Sequence, residues 1–336
     1  MLDEALASAH AVQRQLEVLE PRLIDLAACL RESNPQVILT VARGSSDHAA
    51  SYFAYLAMQL TGVPVASLPM SVVTLHDAPM QVKNQPVIGF SQSGQSPDLV
   101  GSLRTLRERG ALSIAMVNAE GSPLEHACEY VLPLSAGPEL SVAATKSFIA
   151  TLSASARLVA HWQQDTDLLD AGNTLPERLR HAARQDWSTA INTLRGCQRL
   201  MVIGRGTGFA IAQEAALKFK ETSGIQAEAF SSAEVRHGPM ALVDNHYPML
   251  IFAPRGAEQA SLLALAVDMR SRGASVLLAA PENIAERDLT LSCADHPALD
   301  PILAIQSFYV MAAGLARARG LNPDQPRHLS KVTKTH

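Results

Sequence analysis

Cysteine is scarce in this chain. Cys29, Cys128, Cys197 and Cys293 are the only four in 336 residues. They lie far apart, with no CxxC pair and no Cys/His cluster at ligand spacing. That disfavours a disulfide framework and a cysteine-based metal centre, and leaves buried free thiols in a reducing compartment as the expectation. Also missing is a Lys/Arg stripe interleaved with aromatics. With 28 basic and 32 acidic residues the net charge is −4, which argues against a nucleic-acid partner. No apolar run approaches the ~18 residues of a membrane span. The opening stretch, MLDEALASAHAVQRQLEVLE, is an amphipathic pattern carrying acids, without the basic n-region and apolar h-region of a signal peptide. The expectation is a cytoplasmic protein with no membrane contact.

What the chain does have is alternation. With 47% apolar residues, it can fill cores for two domains of roughly 100–200 residues each. Runs of strand length, VILTVA (37–42), PVASL, VIGF, SIAMV (113–117) and YVLPL (130–134), alternate with helical patterns such as the stretch from Pro97 to Arg109. This predicts parallel sheets with helices on both faces. The chain also repeats itself. VILTVARG matches RLMVIGRG (199–206), VIGFSQSG matches MLIFAPRG (249–256), RGALSIAMV matches RGASVLLAA, and KSFIATLSASARL matches QSFYVMAAGLARA. Each partner lies about 160 residues downstream, in order, so the signal is duplication of one α/β unit. The joint falls in the polar segment from Gln163 to about Arg195, which is expected to hold helices.

One turn stands out. SQSGQSPDL follows the buried-strand pattern VIGF. Pro97 suits the first helical position and Ser96 the N-cap before it. The turn therefore joins the carboxyl end of a strand to the amino end of a helix, where free N–H groups and the helix dipole favour an anion. Ser91, Gln92, Ser93 and Ser96 add donors, and Gly94 lets the backbone curl. With no lysine and no GxxxxGK[ST], a Walker-type site is unsupported, and a sugar monophosphate fits better than a metal-bound triphosphate. The turn Arg43-Gly44-Ser45-Ser46 is likewise hydroxyl-rich. Serines at such turns also simply cap helices. The second copy bears on that choice: Ser91-Gln92-Ser93-Gly94 becomes Ala253-Pro254-Arg255-Gly256, and Ser96 becomes Glu258. The fold tolerates the turn without its hydroxyls, which assigns them to a ligand held by the first copy.

In the second copy the helix AIAQEAALKFKETSG places Glu214, Lys218 and Glu221 on one face. Spacing alone favours an exposed Glu–Lys pair. His237 precedes the helix breaker Gly238-Pro239 and is expected on a loop. Lys331 and Lys334 sit in a short polar tail. Spacing assigns none of these a role.

Taken together, ARGSS, SQSGQSPD, AGPELSVAATKSF, EAALKFKETSGIQAEAFSSAEVRHGPMALVD and DQPRHLSKVTK resemble the double sugar isomerase (SIS) domain proteins. The likeness is to the isomerase half of glucosamine-fructose-6-phosphate aminotransferase and to SIS-type glucosamine-6-phosphate deaminases. It implies two tandem SIS domains, each a doubly wound parallel sheet of flavodoxin-like type. The expected plan is an N-terminal helical segment (1–30), a phosphate-binding SIS domain (31–165), a helical linker (166–195), a second SIS domain bearing acid–base residues (196–322) and an active-site tail (323–336).

By position, the resemblance implies that Ser91, Gln92, Ser93 and Ser96 bind phosphate with help from Ser46. Ser45 and the Val142 backbone line the sugar. Ala144 stands where relatives often carry a serine, which removes one sugar contact. Glu221 resembles the base that moves a proton between C1 and C2. His237 resembles a ring-opening histidine supplied by the partner subunit, implying a homodimer. Lys331 resembles a lysine that forms an imine with the ketose, and Lys218 one near the first carbons. Such chemistry needs acid–base groups and an amine but no metal or redox cofactor.

The chain opens at Met1-Leu2-Asp3 and runs almost directly into the sugar domain, so a glutaminase domain that feeds it ammonia is not expected. The expected reaction is therefore catabolic, glucosamine 6-phosphate and water giving fructose 6-phosphate and ammonia. A fructosamine-6-phosphate deglycase, a galactosamine-6-phosphate deaminase/isomerase and a non-catalytic sugar-phosphate sensor are the rival expectations.

Overall fold

A computed structural model describes residues 1–331; the end of the expected active-site tail, 332–336, lies outside the described residues. The first sheet is built from β1 (Ile38–Val41), β2 (Val65–Ser67), β3 (Pro86–Ser91), β4 (Leu112–Val117) and β5 (Tyr130–Pro133). The second contains β6 (Arg199–Gly204), β7 (Gln226–Ser231), β8 (Pro248–Phe252), β9 (Ser275–Pro281) and β10 (Leu289–Leu291). Every pairing is parallel. The orders are β2-β1-β3-β4-β5 and β10-β9-β8-β6-β7. Reading the second from β7 gives the same permutation as the first, so the repeat in the sequence is a repeat in topology. It is the flavodoxin-like doubly wound order.

The strands read as unbroken apolar runs because helices cover both faces. β8 is buried along its length and β3 up to its last residue, Ser91. The helix Pro97–Glu108 begins at a proline that has no N–H to waste and turns Leu99, Val100, Leu103 and Leu106 toward the first core. Leu103 and Leu106 are fully buried, each contributing about 2 kcal/mol. In the second core Leu262, Leu265, Ala266 and Met269 of the helix Gln259–Ser271 pack on Met249 and Ile251 of β8.

Two compact units emerge. One comprises Met1–Ala9, Ser141–Thr145 and Thr174–Leu329; the other comprises His10–Leu140, Lys146–Asn173 and the described tail residues Ser330 and Lys331. These are the C-terminal and N-terminal units below. The polar joint is helical, Thr166–Ala182 and Ser188–Leu194. One segment, Pro297–Ala318, is long and apolar enough to cross a membrane by length and composition, a stretch that the run-length reading of the sequence passed over. Of its most apolar window 83% is buried inside the fold, so it is a core helix.

Candidate active site

The first group of candidate residues lies in the N-terminal unit, at the strand-order switch between β1 and β3. Leu39 pairs with Val87 and Val41 with Gly89, so the turns after these two strands emerge side by side. Open α/β sheets bind ligands in such crevices. After β1, Gly44 adopts φ 56°, ψ −133°, and the helix Ser45–Thr61 starts at once, placing Ser45 and Ser46 at its first two positions. After β3, Gly94 takes φ 62°, and its N–H donates to Ser91 Oγ (2.9 Å) while the Gln95 N–H donates to Ser93 Oγ (3.3 Å). A hydroxyl that accepts in this way keeps its own hydrogen to donate.

Ser96 occupies the N-cap position as expected, but its hydroxyl makes no capping bond. Asp98 takes the nearby Leu99 N–H instead (2.8 Å). The serine oxygens of this turn are thus not consumed in capping its helix. Asp98 is clamped by Arg43 through Nε (2.9 Å) and Nη2 (2.7 Å), which ties the first turn to the helix after the second. Sequence reading picked out neither residue of this clamp. Burial raises the carboxyl of Asp47, beside Ser46, above its ordinary value, against the lowering pull of His48, the Ser67 hydroxyl and Arg43.

The matching turn of the C-terminal unit explains why the hydroxyls could be lost there. Gly206, at φ 57°, ψ −136°, repeats the Gly44 backbone. A Cβ at Gly206 would collide with the Glu258 carboxylate, whereas one at Gly44 would meet nothing within 4 Å among the described residues. The second copy covers its cradle with its own acid.

The acid–base candidates sit elsewhere in the C-terminal unit. The helix Thr207–Ser223 runs back from the carboxyl end of β6 and stops at Gly224, φ 61°. Glu221 therefore lies at the amino end of the strands. The exposed Glu–Lys pair that spacing favoured is instead interior. Lys218 and Glu214 are fully buried and Glu221 retains 18% exposure. Lys218 Nζ stands 3.2 Å from Glu214 Oε1 and 2.5 Å from Glu221 Oε2, and Tyr309 OH donates to Glu214 Oε1 (3.0 Å). Burial alone would push the Lys218 ammonium down; Glu214 and Glu221 outweigh it, and its pKa lies above the ordinary lysine value. Glu221 lines a cavity of about 870 Å³ together with Ser223, Arg319, Gln325, Arg327 and His328. Tyr309 was invisible in the sequence, one of two adjacent aromatics, with Phe308, within an apolar helix.

The remaining candidates are dispersed. The expected loop around His237 is two short 3₁₀ turns, Glu234–His237 and Pro239–Leu242, broken by Gly238 at φ 144°. His237 is exposed and does not line the Glu221 cavity. The Val142 N–H donates to the Asp324 carbonyl (3.3 Å), so of its two backbone groups the donor is already engaged. In the N-terminal unit, Lys331 Nζ pairs with Glu139 Oε2 at 3.1 Å.

The SIS domain family matches residues 31–160 and 193–288. A glutamine–fructose-6-phosphate aminotransferase (isomerizing) from Aeropyrum pernix is 33% identical over 361 residues, covering 99% of this chain and 56% of its own length. The chain thus spans about half the length of the curated relatives it matches. A solved structure from Silicibacter pomeroyi, provisionally assigned as a phosphosugar isomerase, is 40% identical with a TM-score of 0.91, covering 96% of this chain and 99% of that one. A glucosamine-6-phosphate deaminase from Thermotoga maritima shares the fold at 22% identity and a TM-score of 0.74, covering 98% of this chain and all of its own. With both sheets in the same doubly wound order and the family match covering most of the chain, this protein belongs to the SIS domain family.

Proposed function

We propose that this protein is a sugar-phosphate aldose–ketose isomerase that deaminates its substrate, converting glucosamine 6-phosphate and water to fructose 6-phosphate and ammonia. The observation that carries the reading is Glu221: a carboxylate at the edge of a cavity, held through one oxygen by a buried lysine that a second carboxylate fixes from behind. A base that must take a proton from one carbon and return it to the next needs this kind of fixed position.

In this reading Ser91, Gln92, Ser93 and Ser96 hold the phosphate with Ser46, while Ser45 and the Val142 carbonyl contact the sugar. His237, contributed by a second copy in a homodimer, opens the ring. Glu221 removes the proton from C2 of the open-chain aldose and delivers it to C1. A proton from the C2 amino group passes to O1, so the C1 aldehyde becomes a hydroxymethyl group and C2 becomes an imine. Water adds at C2 and ammonia leaves, giving the ketose. Lys218 acts through Glu221 as a positioning residue, because its ammonium is enclosed between two carboxylates. Lys331 supplies an amine that can exchange onto C2.

The direct test is to supply glucosamine 6-phosphate and measure ammonia and fructose 6-phosphate together. Equal amounts of both are expected. Release of neither, with the sugar phosphate still bound, would make the protein a sensor and end this proposal. The phosphate assignment has its own check. Ser93→Ala is expected to raise KM several-fold, on the order of one lost hydrogen bond to an anion, with a smaller fall in kcat. A fall in kcat at unchanged KM would count against it.

A further inference from the structure

We propose that Glu139 is the positioning residue for Lys331, holding its amine and taking up the proton which that amine must shed before it attacks a carbonyl. This rests on Lys331 as the imine-forming amine of the function proposed above. Glu139 belongs to the loop ahead of the helix Lys146–Gln163, and its side chain is fully buried. A carboxylate is not buried without partners. Two come from the first turn of that helix: the Ser147 N–H donates to Oε1 (3.2 Å) and the Ser147 hydroxyl to Oε2 (2.6 Å). A helix amino end favours the negative charge as well. Lys331 Nζ donates to the same Oε2 at 3.1 Å while its side chain keeps 23% exposure. One end of the pair is therefore fixed inside the fold and the other is accessible from solvent. That asymmetry suits a relay better than an ornamental surface ion pair, in which both partners would be mobile.

The step balances without an added reagent. The Lys331 ammonium passes a proton to Glu139 Oε2. The neutral amine adds to C2 of a ketose phosphate, forming the C–N bond as the carbonyl π bond breaks. One of the two protons on the nitrogen moves to the C2 oxygen to make a hydroxyl, the proton held by Glu139 is added to that hydroxyl so that it leaves as water, and the nitrogen's second proton passes back to the Glu139 carboxylate as the imine forms. Neither motif spacing nor the α/β pattern singles out Glu139. Only the fold shows which buried acid faces the tail lysine.

The full chain is incubated with fructose 6-phosphate and borohydride, which reduces an imine to a stable amine, and labelling of Lys331 is followed by peptide mass. Wild type is expected to label at Lys331. Glu139→Gln should slow labelling about tenfold or more while changing the KM for the sugar phosphate less than about twofold, and Glu139→Asp should recover part of the rate. Ser147→Ala removes one of the bonds that aim Glu139 and should slow labelling about threefold; it carries the test if Glu139→Gln does not fold. Labelling of Glu139→Gln or of Ser147→Ala at the wild-type rate overturns the role of Glu139 and leaves Lys331 as the imine residue. No label in wild type overturns both.

Discussion

Glu221→Gln should abolish turnover while leaving sugar-phosphate binding nearly intact. Glutamine has the shape of glutamate, and its amide oxygen can still accept from Lys218 Nζ, which stands 2.5 Å from the native carboxylate. It cannot take a proton from carbon. The expected fall in kcat is roughly 10²–10⁴-fold, the usual contribution of a placed general base. Affinity should change little, because the phosphate grip is proposed for Ser91, Gln92, Ser93 and Ser96 and not for Glu221. The pairing of the two readouts makes the test specific. Calorimetry with the sugar phosphate reports binding, and ammonia release reports chemistry. A variant with wild-type rates would remove Glu221 from the mechanism. One that bound nothing would point instead to a role in ground-state affinity.

The second large effect is on stability. Lys218→Met should destabilise the fold by about 3–5 kcal/mol, the cost of leaving a buried charge without its partner. Glu214 and Lys218 are both fully buried, so removing the ammonium takes the balancing positive charge away from an interior carboxylate to which the Tyr309 hydroxyl donates. A fall in Tm of roughly 4–7 °C is expected from the unfolding entropy of a chain this size. Replacing both, Glu214→Gln with Lys218→Met, should recover much of the loss, since the charge to be compensated is gone. A single variant that melts with wild type would show that the pair is not held as described. The sign of the pH dependence follows. Folding raises the Lys218 pKa, so this contribution is complete below the ordinary lysine value and fades as pH climbs through the raised one.

The duplicated α/β plan was legible because buried parallel strands must be apolar throughout, and β3, β4, β6, β8 and β9 announce themselves that way. β7, QAEAFS, was not seen. It is an edge strand with exposed Gln226 and Glu228, so its pattern is diluted by polar residues. β10 has only three residues. The hydroxyl-rich turn could be placed because strand, glycine and N1 proline are local signals. The Glu214–Lys218–Glu221 cluster could be put on one face but not inside. Helical spacing gives direction relative to neighbours on the helix and says nothing about what packs over it. Tyr309 arrives from ninety-odd positions away, 95 residues from Glu214, and no window of sequence holds both. Glu139 met Lys331 for the same reason, across 192 residues.

The acid lying over Gly206 bears on how binding should look in solution. A chain made of two like halves could in principle take up two equivalents of the same anion, with each occupancy influencing the other. Here one half carries its own counter-charge, so saturation should follow a simple one-site hyperbola per polypeptide. Any sigmoid response would then have to originate between associated chains rather than within one.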